Sequence, residues 1–496
     1  MDATVRISSG QLHGIQHDGV TAFLGIPYAS DAIGPARFQA PRPAPAWEGV
    51  RDATAFGPTA LQTAYPPPID RLLPSSVVDG PSYLNVNVWT PDPGAGGLPV
   101  MVWIHGGAYV RGANSLNTYD GSAFARDGVV LVSINYRLGI AGFPVLPDAP
   151  TNLGLRDQLL ALEWVQENVA AFGGDPGNVT VFGESAGGIS VATLMASPPA
   201  RGLFQRAIVQ SGSGQAVGAM DDLRKVSEAV AQQLDVAPTA AALGSVDPGD
   251  LLAAQTAVAL QLGANPDPTR WGATTIQGGV GIMAYFPCID GDTVTGVPTE
   301  VIASGADAGT PLLTGTTTEE FRLFTVPTGI AASITAEALP LVLGRYGWPA
   351  SRAELYAGNR PDASPGDVVS AMLTDVAFRV PTVALAEAQA TAGAPAHVYE
   401  FAWRTPVSGL GACHGLELPF VFDTLSAHDG LEGLTGTEPP QPLAKEMHSA
   451  WVSFARHGDP GWPAYTPDHR AVMAFDTPSK LLTDPRSDEL ASWRAS

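Results

Sequence analysis

Two cysteines in 496 residues, Cys288 and Cys413, exclude a disulfide framework. No Cys/His cluster has zinc-site spacing and no H-E-x-x-H occurs, so no metal is expected. Lysine is confined to Lys225, Lys445 and Lys480, and the formal net charge is −22. Such a charge repels nucleic acid and anionic membrane surfaces, and neither is expected as a partner. Charged residues make up only 15% against 45% hydrophobic, the balance of a chain that buries a sizeable core. No apolar run approaches membrane-spanning length. The N-terminal MDATVRISSG lacks a basic segment followed by an apolar one, so no signal peptide is expected and the reducing cytoplasm is the default location. The glycine pairs Gly212/Gly214 and Gly409/Gly411 do not complete G-x-G-x-x-G, and no G-K-[ST] follows a glycine loop. Nucleotide binding is not expected.

What is present is an alternation of strand and helix patterns. Val5–Tyr28 reads as short antiparallel strands with turns at Ser9-Gly10 and Asp18-Gly19, followed by Pro- and Gly-rich coil to about Gly80. Strand patterns recur at Tyr83–Trp89, Leu98–Ile104, Val129–Tyr136, Val179–Phe182 and Ala207–Gln210. Gly154–Phe172 carries apolar residues at helical spacing, and the run after Ala186 is of helical length. This order predicts an α/β fold with a mostly parallel central sheet and flanking helices. Beyond Gly214 the texture is helical at Met220–Val236, Ala240–Leu262, Ile330–Tyr346 and Asp367–Ala392, with strands at Thr310–Thr316 and His397–Trp403. Gln441–His457 reads as a helix and Ala471–Phe475 as the last strand. No linker divides residues 1–496, so one domain is expected, with helical insertions at roughly 215–300 and 325–395 over the C-terminal sheet edge.

Gly183-Glu184-Ser185-Ala186-Gly187 sits where a strand must turn sharply into a helix. This is G-x-S-x-G, which holds a serine in a strained backbone with its hydroxyl exposed. Ser185 alone among the serines has glycine two positions away on both sides. Upstream, Trp103-Ile104-His105-Gly106-Gly107-Ala108-Tyr109 puts two uncovered backbone N–H groups directly after a buried strand. With the N–H of Ala186 they can face an oxygen that gains negative charge. His105 fits a loop brace better than a base. A serine nucleophile needs a base, and the base an acid. His397, His414, His428, His448, His457 and His469 lie downstream. Of these, His414 is in a glycine-flanked loop, Gly411–Gly415. For the acid, Glu319 and Glu320 both follow a strand, and spacing does not choose between them.

The ordered motifs carry a resemblance. Phe23–Ala29, Arg37-Phe38, Val86–Pro91, His105-Gly106-Gly107, Asn135–Gly139, Asn152–Gln158, Phe172–Gly188 and Gly411–Phe422 resemble the type-B carboxylesterases over about Gly10 to Tyr465. The resemblance implies an α/β-hydrolase fold and a serine carboxylic-ester hydrolase for short- to medium-chain or aryl esters, with a small-molecule substrate and no cofactor. It further implies Ser185 as nucleophile, Glu320 as acid, His414 as base, and Gly106, Gly107 and Ala186 as the oxyanion hole. Ser211 matches a serine that supports the triad acid. Tyr109, Tyr119, Phe321 and Phe378 are the candidates for an acyl or alcohol pocket. A histidine base predicts activity falling below about pH 6.5.

The chain departs from the family where Gly80-Pro81-Ser82-Tyr83 replaces an acidic, cysteine-bearing motif. The family's N-terminal disulfide and the acidic partner of Arg37 are therefore lacking. No tryptophan lies between Trp47 and Trp89, which argues against choline esters, and Phe321 stands where the family has glycine. The competing readings are a non-catalytic binding or adhesion protein on the same fold and an amide or carbamate hydrolase using the same triad. The oligomeric state is not legible, though a monomer is consistent with the sequence.

Overall fold

In a computed structural model, which describes residues 2–305, 309–426 and 433–494, the apolar runs form the centre of one thirteen-stranded sheet. Its strands are β1 (Asp2–Ile7), β2 (Gly10–His17), β3 (Val20–Pro27), β4 (Asn85–Thr90), β5 (Leu98–Ile104) and β6 (Val130–Ile134). They continue with β7 (Gly174–Glu184), β8 (Arg206–Gln210), β9 (Leu312–Thr317), β10 (Ala396–Phe401), β11 (Ala471–Phe475) and β12 (Lys480–Thr483). In space they run β1-β2-β3-β4-β6-β5-β7-β8-β9-β10-β11-β12, and the short strand Val50–Asp52 pairs with β2. Every pair from β6 to β11 is parallel. Antiparallel strands flank this block at both ends.

The central strands are apolar without interruption because both of their faces are covered. In β5, Val100, Val102 and Ile104 enter one core layer, while Met101 and Trp103 enter the other. Helices α1 (Leu153–Asn168) and α2 (Ala186–Met195) cover the first face through residues such as Leu155, Leu162, Val191 and Leu194. On the opposite face, Met447, Trp451 and Phe454 of the helix Gln441–His457 share a layer with Phe182 of β7.

The helical blocks are more broken than their composition suggests. Ala240–Leu262 is two helices, Ala240–Gly244 and Pro248–Ala264, because Asp247 caps the second and Pro248 takes its first position. Ile330–Tyr346 likewise divides into Ile330–Ser333 and Leu339–Tyr346. The third block is α3 (Pro365–Thr374), a π-helical turn at Asp375–Arg379 and α4 (Val380–Thr391). Helix α4 packs on β9 and β10, so this end of the 325–395 segment lies on the sheet face. Pro365–Thr391 is long and apolar enough to cross a membrane, contrary to expectation, but most of its apolar stretch is buried inside the protein. Ala471–Phe475 is not the last strand: β12 pairs with it, and a helix, Ser487–Arg494, follows.

One buried ion pair ties the first α/β connection to the N-terminal coil. The Arg137 guanidinium donates to both Asp157 carboxylate oxygens at 2.7 and 2.8 Å, and the Arg137 N–H adds a third bond at 2.9 Å. Arg137 also donates to the carbonyls of Arg37 and Gln39. Arg37, lacking an acid, donates to the Val246 carbonyl instead. Burial raises the Asp157 carboxyl and works against the guanidinium, but three hydrogen bonds and opposite charge favour the ionised pair. Asp157→Ala leaves a buried guanidinium unpaired and is expected to cost about 3–5 kcal/mol in urea unfolding. A loss of under about 1 kcal/mol would show the pair to be dispensable.

Candidate active site

The parallel block delivers each chemistry-bearing residue at the C-terminal end of a strand, the edge at which open α/β sheets bind ligands. Ser185 follows β7 directly, with φ 56° and ψ −122°, a conformation that costs an L-residue energy. It is held there by its own N–H, which donates to the Gln210 carbonyl, and by its carbonyl, which accepts from Ile189. The flanking glycines are steric necessities. A Cβ on Gly187 would lie 2.0 Å from the Ile104 carbonyl oxygen, and one on Gly183 2.6 Å from the Gly187 backbone.

Glu320 lies just beyond β9 and is fully buried. One carboxylate oxygen accepts from Ser211 Oγ at 2.6 Å and from the Thr317 N–H at 2.8 Å. The other lies 2.6 Å from His414 Nδ1. His414 comes from the loop after β10, which is pinned to this corner by backbone bonds from Glu319 to Ala412 and from His414 to Glu320. Glu319 turns the other way. Its carboxylate accepts from the Ala412 N–H at 3.0 Å and pairs with Arg404 at 3.1 Å. The two adjacent glutamates are therefore separated by direction, which spacing does not reveal.

The imidazole Nε2 does not meet Ser185 Oγ here: it lies 3.1 Å from Glu184 Oε1, at an angle that makes no hydrogen bond. Among the described residues Ser185 Oγ carries no hydrogen bond. Ser185, Glu184 and His414 all line one cavity of about 430 Å³, together with Gly106, Gly107, Ala108 and Ser211. His105 is turned away and stacks on Tyr136, and its Nδ1 donates to the Gly106 carbonyl at 2.8 Å. Burial lowers its pKa to about 4, so it stays neutral and serves as a loop brace.

The other candidate histidines stand apart. His397 donates to the Trp462 carbonyl and His448 to that of Val421, while His457 and His469 are exposed. His428 lies outside the described residues.

Of the four aromatic pocket candidates, Tyr119 and Phe378 line the cavity and two do not. Tyr109 is fully buried against Phe143 and Tyr136, its hydroxyl 3.1 Å from Ser190 Oγ. Phe321 packs behind the lining with Ile334, Val369 and Phe378. Both neighbour a motif in sequence, but their side chains fill core space. The lining also uses residues that sequence reasoning passes over: Tyr65 and Leu72 from the Pro-rich coil, Arg111, Met283 and Phe324. No local pattern marks Tyr65, Leu72 or Met283. Phe324 and Phe378 flank the His414 ring at 5.4 and 4.9 Å.

A serine on a strand–turn–helix corner, with a buried glutamate and a histidine paired beyond later strands of a mostly parallel sheet, defines an α/β-hydrolase fold. The carboxylesterase family matches residues 1–339 and 348–493. The para-nitrobenzyl esterase of Bacillus subtilis (strain 168) is 39% identical over 97% of this chain and 96% of its own. The phenmedipham hydrolase of Pseudarthrobacter oxydans is 33% identical over 94% and 93%. A crystal structure of a Geobacillus stearothermophilus carboxylesterase superposes with a TM-score of 0.85 at 37% identity, covering 99% of both chains. The chain belongs to the carboxylesterase family and is a serine carboxylic-ester hydrolase.

Three buried glutamates set the electrostatics of His414. Burial disfavours the His414 imidazolium, but the charges of Glu184 and Glu320 and the Glu320 hydrogen bond outweigh it and raise the pKa to about 9. Burial, with Glu320 nearby, raises Glu184 to about 7. Glu417, whose Oε2 has no partner, is raised to about 8 by burial and then by Glu184 and Glu320. A base acts only when neutral, and a raised pKa means the neutral form is lost at higher pH than for an ordinary histidine. The acid limb of kcat/KM on a neutral ester is therefore expected above about pH 6.5. Glu184→Gln removes the largest charge raising His414 and should move that limb to lower pH. A wild-type limb at or below about 6.5, or one that Glu184→Gln leaves in place, would contradict this electrostatic account.

Proposed function

We propose that Ser185 is the nucleophile, His414 its base and Glu320 the acid that orients the base. The observation that carries this is the 2.6 Å contact between the fully buried Glu320 and His414 Nδ1, which leaves Nε2 toward the cavity that Ser185 lines. Nε2 takes the Ser185 proton as Oγ attacks the ester carbonyl carbon. The poorly aligned contact with Glu184 is one the imidazole can exchange for Ser185 at little cost. The N–H groups of Gly106, Gly107 and Ala186, with Ala108 on the same turn, would hold the oxyanion. Collapse expels the alcohol, which leaves with the proton from His414. Water then enters by the same route and releases the acid. Ser211 acts through Glu320, fixing its carboxylate by the 2.6 Å hydrogen bond.

The substrates are short- to medium-chain acyl or aryl esters. A cavity of about 430 Å³ with largely apolar walls supports this, as does the name of the para-nitrobenzyl esterase relative. Gly279, Val280, Ile282, Met283, Ala377 and Phe378 contribute to those walls, which supports the reading of 215–300 and 325–395 as lid-bearing insertions in one domain. The two buried, unpaired cysteines fit a reducing compartment, and the cytoplasm is the proposed location.

With p-nitrophenyl butyrate as substrate, Ser185→Ala is expected to lose on the order of 10⁶ in turnover. Equal activity of wild type and variant would remove Ser185 from the mechanism. Glu320→Gln should cost about 10⁴ in kcat, whereas Glu319→Gln should act mainly through the stability of the His414 loop. The reverse order in kcat would exchange the two glutamates' roles.

A further inference from the structure

We infer that Arg111 makes the cavity selective for esters that carry a second, anionic group, a carboxylate one short linker away from the scissile carbonyl. The inference rests on the proposed use of this cavity as the active site. Among the described residues Arg111 is the one lysine or arginine that lines it. Its guanidinium lies over the Tyr65 ring, 5.2 Å from the centroid, and Nη2 reaches Thr63 Oγ1 at only 3.4 Å. The Nε is buried with no hydrogen-bond partner, and no carboxylate pairs with the side chain among the described residues. In a chain with 48 acidic and 26 basic residues, a guanidinium without an acid partner is out of keeping with its surroundings.

The backbone around Arg111 is fixed. Its N–H and that of Val110 both donate to the Gly107 carbonyl at 3.0 Å, so the residue closes the turn that carries the oxyanion donors. The next residue, Gly112, is clamped by Gln62 through bonds of 2.8 and 2.9 Å, which joins this turn to the Pro-rich coil. Ile69, Leu72, Leu73, Leu116 and Leu418 are among the apolar residues of the same lining. A planar guanidinium resting on an aromatic face, with buried donor capacity unused, suits a carboxylate, which it binds through two parallel hydrogen bonds. Low-dielectric walls strengthen that attraction.

The anionic group can belong to the acyl or to the alcohol half of the ester, and two substrate pairs separate these cases. Mono-4-nitrophenyl glutarate is compared with 4-nitrophenyl pentanoate, and 4-acetoxybenzoate with its methyl ester. For one pair, the anionic-to-neutral ratio of kcat/KM is expected to fall about tenfold or more in Arg111→Gln. The change should lie in KM, because the contact is made before and during reaction. Arg111→Lys should restore part of the ratio, and in wild type the KM of the anionic ester should rise with added salt. The same ratios in Arg111→Gln as in wild type, or no salt effect on either anionic ester, overturn the inference. Failure of wild type to hydrolyse either neutral ester would instead count against the proposed function. Should Arg111→Gln not fold, the salt dependence in the unaltered enzyme decides.

Discussion

Helix α2 begins so close to strand β5 that a single methyl group on Gly187 would sit 2.0 Å from the Ile104 oxygen. That approach fixes where Ser185 can be. The strand must end at Glu184, the chain must turn within one residue, and the serine accepts a strained φ of 56° to do so. Such a conformation persists only when its surroundings over-determine it. Here they do, through the fully buried helix behind the turn and the bond from the Ser185 N–H to Gln210 of the neighbouring strand. The sheet is the anvil for this turn. Its parallel register brings Gln210 beside Glu184 and Gly315 beside Gln210, so the corners carrying Ser185, Ser211 and Glu320 lie along one edge.

The second consequence is electrostatic. Glu184, Glu320 and Glu417 are all buried near one imidazole, an arrangement that opposes folding because carboxylates lose hydration. Hydrogen bonds from Ser211 and Thr317 satisfy Glu320 and leave its second oxygen for His414. Glu184 and Glu417 are less well satisfied, each keeping a buried oxygen without a hydrogen bond. Glu320 and, when ionised, Glu184 and Glu417 favour a proton on His414, and a positive charge there is the state that would follow the proposed removal of the serine proton.

Much of this was legible in the sequence because the constraints are local. Glycines around Ser185 mark the turn, and the strand before Gly106-Gly107 marks the loop beside it. Apolar runs covered on both faces mark the parallel strands. The rest depends on contacts between distant segments. Glu319 and Glu320 differ only in which partner each meets, Ala412 and Arg404 or Ser211 and His414. Tyr109 and Phe321 adjoin motifs, yet their rings fill core space, while Tyr65 and Leu72 reach the cavity without any motif. Glu184 occupies an unspecified position of G-x-S-x-G, so its contact with His414 appears only in three dimensions. The helix breaks at Asp247-Pro248 come from capping, which composition over a long Ala-rich window conceals.

Reaction with a fluorophosphonate tests the central claim most directly, since the serine oxygen displaces fluoride from phosphorus and remains as a stable ester. Mass spectrometry of the digested protein should find one adduct, on Ser185, forming with loss of ester-hydrolysing activity and slowed by orders of magnitude in His414→Ala. An adduct on another residue, or labelling of Ser185 at the same rate without His414, would contradict the account.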